Sequence, residues 1–320
     1  MINPLVKEIE HLKNEKNASI LAHFYQESSV QDIADHIDDS LGMAKYGESS
    51  DADILLVAGV LFMGETAKIL SPEKTVLVPD LNAGCSLADN CPADKFSEFI
   101  KQHPNHRVVT YVNCSAEVKA MSDILCTSSN ALKVIESIPP DEPIIFGPDK
   151  HLGNYLQKIS GRQMVLWDGA CIVHENFKAE TLFNLKNTYK NALVLAHPEC
   201  PASVLELADH IGSTSSLLAY SKNSPAKEFI VVTEAGIIHQ MKKASPEKIF
   251  HALPNNELCN CAECPFMRLN SLEKIRNALR DLSPKVLVPE ETRIKALIPL
   301  KKMLSLGKQP TDFNQNISPL

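Results

Sequence analysis

The stretch CNCAEC, residues 259–264, packs three cysteines into six positions, with Pro-Phe-Met directly behind them. Cys261 and Cys264 have a C-x-x-C spacing, which holds a metal well only when further ligands arrive from elsewhere in the chain. Two other cysteines lie in comparable loops, Cys85 in "LNAGCSLAD" and Cys171 in "WDGACIVHE". Three thiolates meeting at one point leave a coordination position free, where a metal can polarise a substrate oxygen. Sulfur ligands favour an iron–sulfur cluster or zinc over magnesium or calcium. Pro265 after Cys264 matches the Cys-Pro ending of some cluster motifs. A cluster with one open iron is the favoured reading, with catalytic or structural zinc as the alternative. Cys259 and Cys261 could replace Cys264 as ligand or form an oxidisable pair. Cys91, Cys114, Cys126 and Cys200 read as small buried hydrophobes.

A second set of residues could move protons. The segments "ILAHFYQ" (20–26), "VVTYVNC" (108–114) and "LVLAHPE" (193–199) each read as a strand ending in a polar tip. Aligned, they place His23, Tyr111 and His197 at spacings of 88 and 86, and Tyr25, Asn113 and Glu199 at the same spacings. Singly, each is an ordinary loop polar group. Together they supply acids, bases and amide donors suited to proton transfer around a carbonyl or imine. Glu199 is the one carboxylate of the six and the best base for a carbon-bound proton; Tyr25 and His23 could pass protons to oxygens.

Ser40, Ser128 and Thr214 fall in the same register, each opening a helix-like segment. They read either as N-caps or as the mouths of three helices whose free N–H groups trap a phosphate or dicarboxylate. Glu65 and Thr66, just after a strand tip, are expected to reach the site. Lys150 reads equally as an anion contact or a surface turn, and His174 and His239 read as structural.

Elements that bring these residues together must repeat. Apolar strand-like runs alternate with helical patterns along the whole chain, the mark of parallel α/β architecture. The third strands align through Leu56, Ile144 and Ile230, again 88 and 86 apart. The expected fold is α/β, with three homologous α/β/α units in pseudo-threefold symmetry around a central active site. The units span 1–105 with the N-terminal helix, 106–190, and 191–305 with the C-terminal helices; 306–320 is a loose tail. In parallel units the polar tips lie where ligands bind, beyond the carboxyl ends of the strands. The amphipathic segments "EKIRNALRDL" and "EETRIKALIPLKKML" are expected on the outside of the units.

Composition narrows the class. The chain has 320 residues, enough for two or three domains, and its 32 basic against 39 acidic residues give a net charge of −7. That argues against a nucleic-acid surface but not against small anions. The start "MINPLVKEIEHLKNEKN" reads as a charged amphipathic helix, not a signal peptide. The longest apolar run, "ILLVAGVLFM" (54–63), is half of a membrane span. Nine cysteines without a secretory signal point to reduced thiols in a cytoplasmic protein.

At these residues the chain resembles the quinolinate synthase family of bacterial NAD biosynthesis. The likeness runs from about residue 18 to 305 and includes "DDSLGMA", "VAGVLFMGETAKILSPEK", "GCSLAD", "TSSNA", "PDKHLG", "GACIVHE", "HPE", "GSTS" and "CPFM". The resemblance implies a three-domain pseudo-threefold fold and one 4Fe–4S cluster per chain on Cys85, Cys171 and Cys264. The implied reaction, a transfer, joins iminoaspartate to dihydroxyacetone phosphate, losing phosphate and water as a pyridine ring closes. Substrate-binding positions of the family fall on His23, Ser40, Tyr111, Asn113, Ser128, His197, Glu199 and Thr214, with Tyr25 as an acid–base group. The resemblance also implies small-molecule substrates and transient contact with an L-aspartate oxidase that supplies iminoaspartate, with no nucleic acid or membrane partner. Rival readings are a cluster- or zinc-holding sensor or scaffold, and a dehydratase acting on one substrate.

Overall fold

The computed structural model describes residues 3–254 and 262–306. Three four-stranded sheets, every pairing parallel, are flanked by helices, as expected for the α/β class. In the first, β1 (Ala18–His23), β2 (His36–Asp38), β3 (Ile54–Ala58) and β4 (Thr75–Leu77) stand in the order β2-β1-β3-β4. The second holds β5 (Arg107–Tyr111), β6 (Ile124–Cys126), β7 (Ile144–Gly147) and β8 (Met164–Leu166) in the order β6-β5-β7-β8. The third holds β9 (Leu193–Ala196), β10 (His210–Ile211), β11 (Glu228–Val232) and β12 (Ile249–Ala252) in the order β10-β9-β11-β12. One strand order used three times is compatible with a threefold arrangement. In each sheet the chain reverses its direction of travel between the first and third strands. The crevice beyond their carboxyl ends is where such sheets bind ligands.

The central strands are mostly apolar because helices cover both of their faces. The segments ASILAH of β1 and ILLVA of β3 are buried at every position. Pairing register repeats as well. Leu21 faces His36, Val109 faces Ile124 and Leu195 faces His210, so these partners also fall at 88 and 86. The third strands need one correction. Ile20 pairs with Leu56 and Val194 with Ile230, but the equivalent Val108 pairs with Ile145, not Ile144. The second unit carries one extra residue before β7. It carries one fewer before β8, since Ile54 pairs with Thr75 but Ile144 with Met164. A one-residue slip reverses which side chains face which side of a sheet, so alignment by apolar type alone had mis-set that strand.

The cores cross between units. The helix Pro4–Glu15, capped by the Asn3 side chain on Leu5 N–H, buries Ile9 and Leu12 against Ile275, Ala278 and Leu279 of the helix Leu272–Asp281. The helix Glu290–Leu306 keeps one face exposed but packs across two units rather than on one. Its Ala296, Leu300, Met303 and Leu304 join one core with Leu41 and Val57 of the first unit and Val112, Ala116 and Leu125 of the second. Asn130 Nδ2 also donates to Met303 O at 3.1 Å. An amphipathic pattern tells that one face is buried but not against what. Both C-terminal helices thus follow the third unit in sequence but pack on the first two. Of the tail, Leu306 ends a helix, and 307–320 lie outside the described residues. Among the described residues no helix is long and apolar enough to cross a membrane.

Candidate active site

One cavity, with about 640 Å³ of space between atoms, is lined by all twelve residues singled out from sequence: His23, Tyr25, Ser40, Cys85, Tyr111, Asn113, Ser128, Cys171, His197, Glu199, Thr214 and Cys264. His23 and Tyr111 are the last residues of β1 and β5, and His197 follows β9 directly. The three sheets therefore aim their switch points at one space.

The strand tips fix the tautomers of two histidines. His23 Nδ1 accepts from Tyr25 N–H at 3.2 Å, and His197 Nδ1 accepts from Glu199 N–H at 3.4 Å. With Nδ1 accepting, a neutral ring carries its proton on Nε2. Burial disfavours the charged ring and pushes His23 down to about 4 and His197 down to about 3. Both therefore present a neutral N–H donor at neutral pH. That of His197 points at Ser128 Oγ, 3.2 Å away.

Glu199 is buried, with one oxygen hydrogen-bonded and the other close to a histidine. Tyr111 donates its hydroxyl to Oε1 at 2.7 Å, and His174 Nδ1 lies 3.1 Å from Oε2, though not aligned for a hydrogen bond. Burial opposes the charge, yet His174, His197 and the Tyr111 hydroxyl outweigh it and hold Glu199 below the ordinary carboxylate range. Tyr111 and Tyr25 are pushed well up by burial and keep their protons. The Tyr25 hydroxyl lies 2.9 Å from Thr214 Oγ1 and 2.7 Å from Thr233 Oγ1, and Thr233 Oγ1 lies 2.9 Å from His174 Nε2. Polar contacts therefore run from Tyr111 through Glu199, His174 and Thr233 to Tyr25, drawing on all three units. Asn113 Oδ1 is buried with no partner among the described residues, as a group awaiting a ligand would be.

His174, read from sequence as structural, belongs to this site and stacks on His197 with ring centroids 4.8 Å apart. Its position three residues after Cys171 was the available signal. Asp39 and Glu234 also line the cavity. The other expectations resolve outward. Glu65 accepts from Ala116 N–H and Thr66 donates to Phe62 O, each tied to backbone rather than facing this cavity. Lys150 pairs with Asp168 and Glu175, and His239 with Asp32.

Ser40, Ser128 and Thr214 are not caps. Asp39 caps the helix Ser40–Ser49 through Leu41 and Gly42 N–H, and Ser213 caps Thr214–Asn223 through Ser216 N–H. Ser128 precedes Asn130, which flanks the helix Ala131–Glu136. The capping function sits one residue earlier in these two helices, leaving the Ser40 hydroxyl to the cavity and the Thr214 hydroxyl to Tyr25. Asp39 does more. Its Oδ2 accepts from Ser129 Oγ at 2.7 Å and Ser215 Oγ at 2.6 Å, so one carboxylate of the first unit clasps the other two.

The cysteines begin equivalent turns. Asp89 N–H donates to Cys85 O, Glu175 N–H to Cys171 O, and Arg268 N–H to Cys264 O. Backbone N–H groups two or three residues on also favour the charged sulfur in each case. Burial nevertheless dominates and pushes Cys85 up to about 12, with Cys171 and Cys264 also raised. Three half-buried cysteines with turn donors, and among the described residues only Arg268 near Cys264 to offset a charge, suit a metal group, which deprotonates the thiols it binds. Cys171, His174 and Glu199 bring ligand atoms within 4.8 Å of one another. A single ion needs ligands that close, whereas a multi-iron cluster spreads its cysteines farther apart. For such an ion His174 would offer Nδ1 and Glu199 Oε2, their other polar atoms being taken by Thr233 and Tyr111. Cys91, Cys114, Cys126 and Cys200 are buried thiols, and Cys259 and Cys261 lie outside the described residues.

The sequence profile of the family described as Quinolinate synthetase A protein matches residues 7–305. Proteins named "Quinolinate synthase" are similar along nearly their whole length. One from Synechocystis sp. is 56% identical over 303 residues, 95% of each chain. One from Thermosynechococcus vestitus is 55% identical over 304 residues, again 95% of each.

Proposed function

The chain belongs to the quinolinate synthetase A family, and from that premise we propose that it condenses iminoaspartate with dihydroxyacetone phosphate to quinolinate, releasing phosphate and water, in NAD biosynthesis. The observation that carries this reading is the meeting of three cysteines with nine polar side chains in one cavity. In this reading Cys85, Cys171 and Cys264 hold a 4Fe–4S cluster, which supplies a Lewis acid at its open iron when bound.

The residues divide the remaining work. Ser40, Ser128 and Thr214 offer hydroxyls, and His23 and His197 neutral N–H donors, to phosphate and carboxylate oxygens. Asn113 binds through its free amide oxygen. Glu199 stays ionised at neutral pH, so it is available as a base. A dianionic substrate beside it would raise its proton affinity by like-charge repulsion, bringing a weak base nearer the working pH. The Tyr25 proton, shared with Thr214 and Thr233, can pass to a carbonyl or leaving oxygen. Tyr111 holds Glu199 in place. Iminoaspartate would arrive by transient contact with an L-aspartate oxidase, in the cytoplasm.

The test is anaerobic reconstitution followed by an assay with both substrates. The expected result is a brown protein with about four irons per chain that forms quinolinate only when both substrates are present. Turnover of one substrate alone would favour a dehydratase, and a bound cluster without turnover a scaffold.

A further inference from the structure

The same backbone hydrogen bond joins the third strand to the cysteine loop in every unit. Leu61 N–H donates to Ala83 O at 2.7 Å, Lys150 N–H to Gly169 O at 2.8 Å, and Ala235 N–H to Ala262 O at 2.9 Å. In each case a cysteine follows two residues after the acceptor, and the residue before the donor is Val60, Asp149 or Glu234. That last position is equivalent in the fold but not in chemistry.

In two units its side chain grips the cysteine. Asp149 Oδ2 accepts from Cys171 N–H at 3.0 Å, and Glu234 Oε1 accepts from Cys264 N–H at 3.2 Å. Both carboxylates are fully buried, a costly placement unless their oxygens are fully used. They are. Asp149 Oδ1 caps His151 and Leu152 N–H, and Glu234 Oε2 accepts from Gly236 N–H at 2.7 Å. Arg268 Nη2 donates to Glu234 Oε1 at 2.9 Å, while its Nη1 donates to Tyr25 O at 2.7 Å. Glu234 therefore ties the Cys264 loop to the backbone of Tyr25 on the first unit. Val60 has no side-chain acceptor to offer Cys85.

We infer that Asp149 and Glu234 are positioning residues for the sulfur site, clamping the backbones of Cys171 and Cys264, whereas Cys85 is held without such a clamp. The inference rests on the proposed cluster and concerns how this chain holds it, apart from turnover. Loss of such a supporting contact typically costs 10–100-fold in metal affinity.

The experiment reconstitutes the full chain anaerobically and follows release of iron to a chelator by absorbance. Glu234→Ala should release iron at least about tenfold faster than the unaltered chain. Asp149→Ser, which keeps a helix-capping oxygen but cannot also reach Cys171, should do the same. Glu234→Gln and Asp149→Asn keep one acceptor oxygen where two are used, so their release should fall between that of the unaltered chain and that of Glu234→Ala. Should Glu234→Ala not fold, Glu234→Asp carries the test, because the shorter arm draws its oxygen off Cys264. Unaltered release in both Asp149→Ser and the Glu234 variant, with iron fully loaded, overturns the inference. So does release from the amide variants as fast as from Glu234→Ala. Failure of the unaltered chain to take up iron would remove the cluster reading itself and this inference with it.

Discussion

Tyr111, the last residue of β5, donates its hydroxyl to Glu199 Oε1 across 2.7 Å, joining the second unit to the third inside the cavity. The contact stabilises the carboxylate as a charged acceptor and fixes the direction of its other oxygen. Glu199→Gln keeps the shape and removes the basicity. Quinolinate formation should fall by roughly 10²–10⁴-fold while cluster absorbance, read on the same sample, stays normal. Near-normal turnover would leave Glu199 as a substrate-positioning contact only.

Tyr25 can donate a proton only through its hydroxyl, which Thr214 and Thr233 hold. Tyr25→Phe should lower turnover by about 10²-fold or more without changing iron content. Single-turnover analysis should reveal an unfinished condensation product. Absence of a turnover defect removes Tyr25 from the acid–base set.

If the proposed ligand set holds, Cys85→Ser, Cys171→Ser and Cys264→Ser should each lose the cluster and quinolinate formation. Cys126→Ser, at a buried thiol of the second unit's core, should retain iron and sulfide. Full iron and sulfide content in any of the first three variants would contradict the ligand set.

The caps and the cavity hydroxyls should separate in experiment. Ser213→Ala removes a cap and should cost about 1 kcal/mol of stability, read from denaturant midpoints. Ser40→Ala should leave the midpoint nearly unchanged, Ser128→Ala should lower it because buried His197 loses its partner, and both should raise KM for dihydroxyacetone phosphate. Equal KM values in all three variants would leave the hydroxyls without a binding role.

His23 titrates at about 4 in the folded chain and near 6.5 when unfolded. Between those values the unfolded chain takes up a proton that the folded chain refuses, so stability falls as pH falls. From pH 7 to 5 the loss from this group is about 2 kcal/mol. His197, held at about 3, falls in the same direction over this range, so the measurement is comparative. In urea unfolding of the metal-free proteins, His23→Gln should lose about that much less stability than the unaltered chain. Glu199, held low, loses its stabilisation in acid as well, whereas Glu234, raised to about 8 mainly by burial, works the other way. The difference between the two proteins isolates His23. An identical pH dependence in both would disprove the assignment.

Much of this site was legible because the repeat carries it. His23, Tyr111 and His197 stand where three equivalent strands end, and matching residue types at matching spacings were enough to group them. Glu234 escaped for the opposite reason. Its counterparts are Asp149 and Val60, so the position recurs while the residue type does not, and the extra residue before β7 shifts Asp149 out of the common spacing. Asp39 was hidden by adjacency, since Asp39 and Ser40 are both plausible caps and only the backbone decides between them. The burial of the helix Glu290–Leu306 between two units was beyond reach, because hydrophobic patterning names a buried face without naming its partner.

That helix also sets an order of events on the ribosome. Leu300 and Met303 complete a core whose other walls, Leu41, Val57 and Leu125, are synthesised far earlier. Until residues 290–306 have emerged, the first two units lack part of the apolar surface that joins them. Each sheet can form as its own strands appear, but the seam between the first two units lacks one of its walls until nearly the whole described chain has been made. A nascent chain arrested before residue 290 would therefore expose that seam to chaperones and proteases, though every residue of the cavity had already been translated.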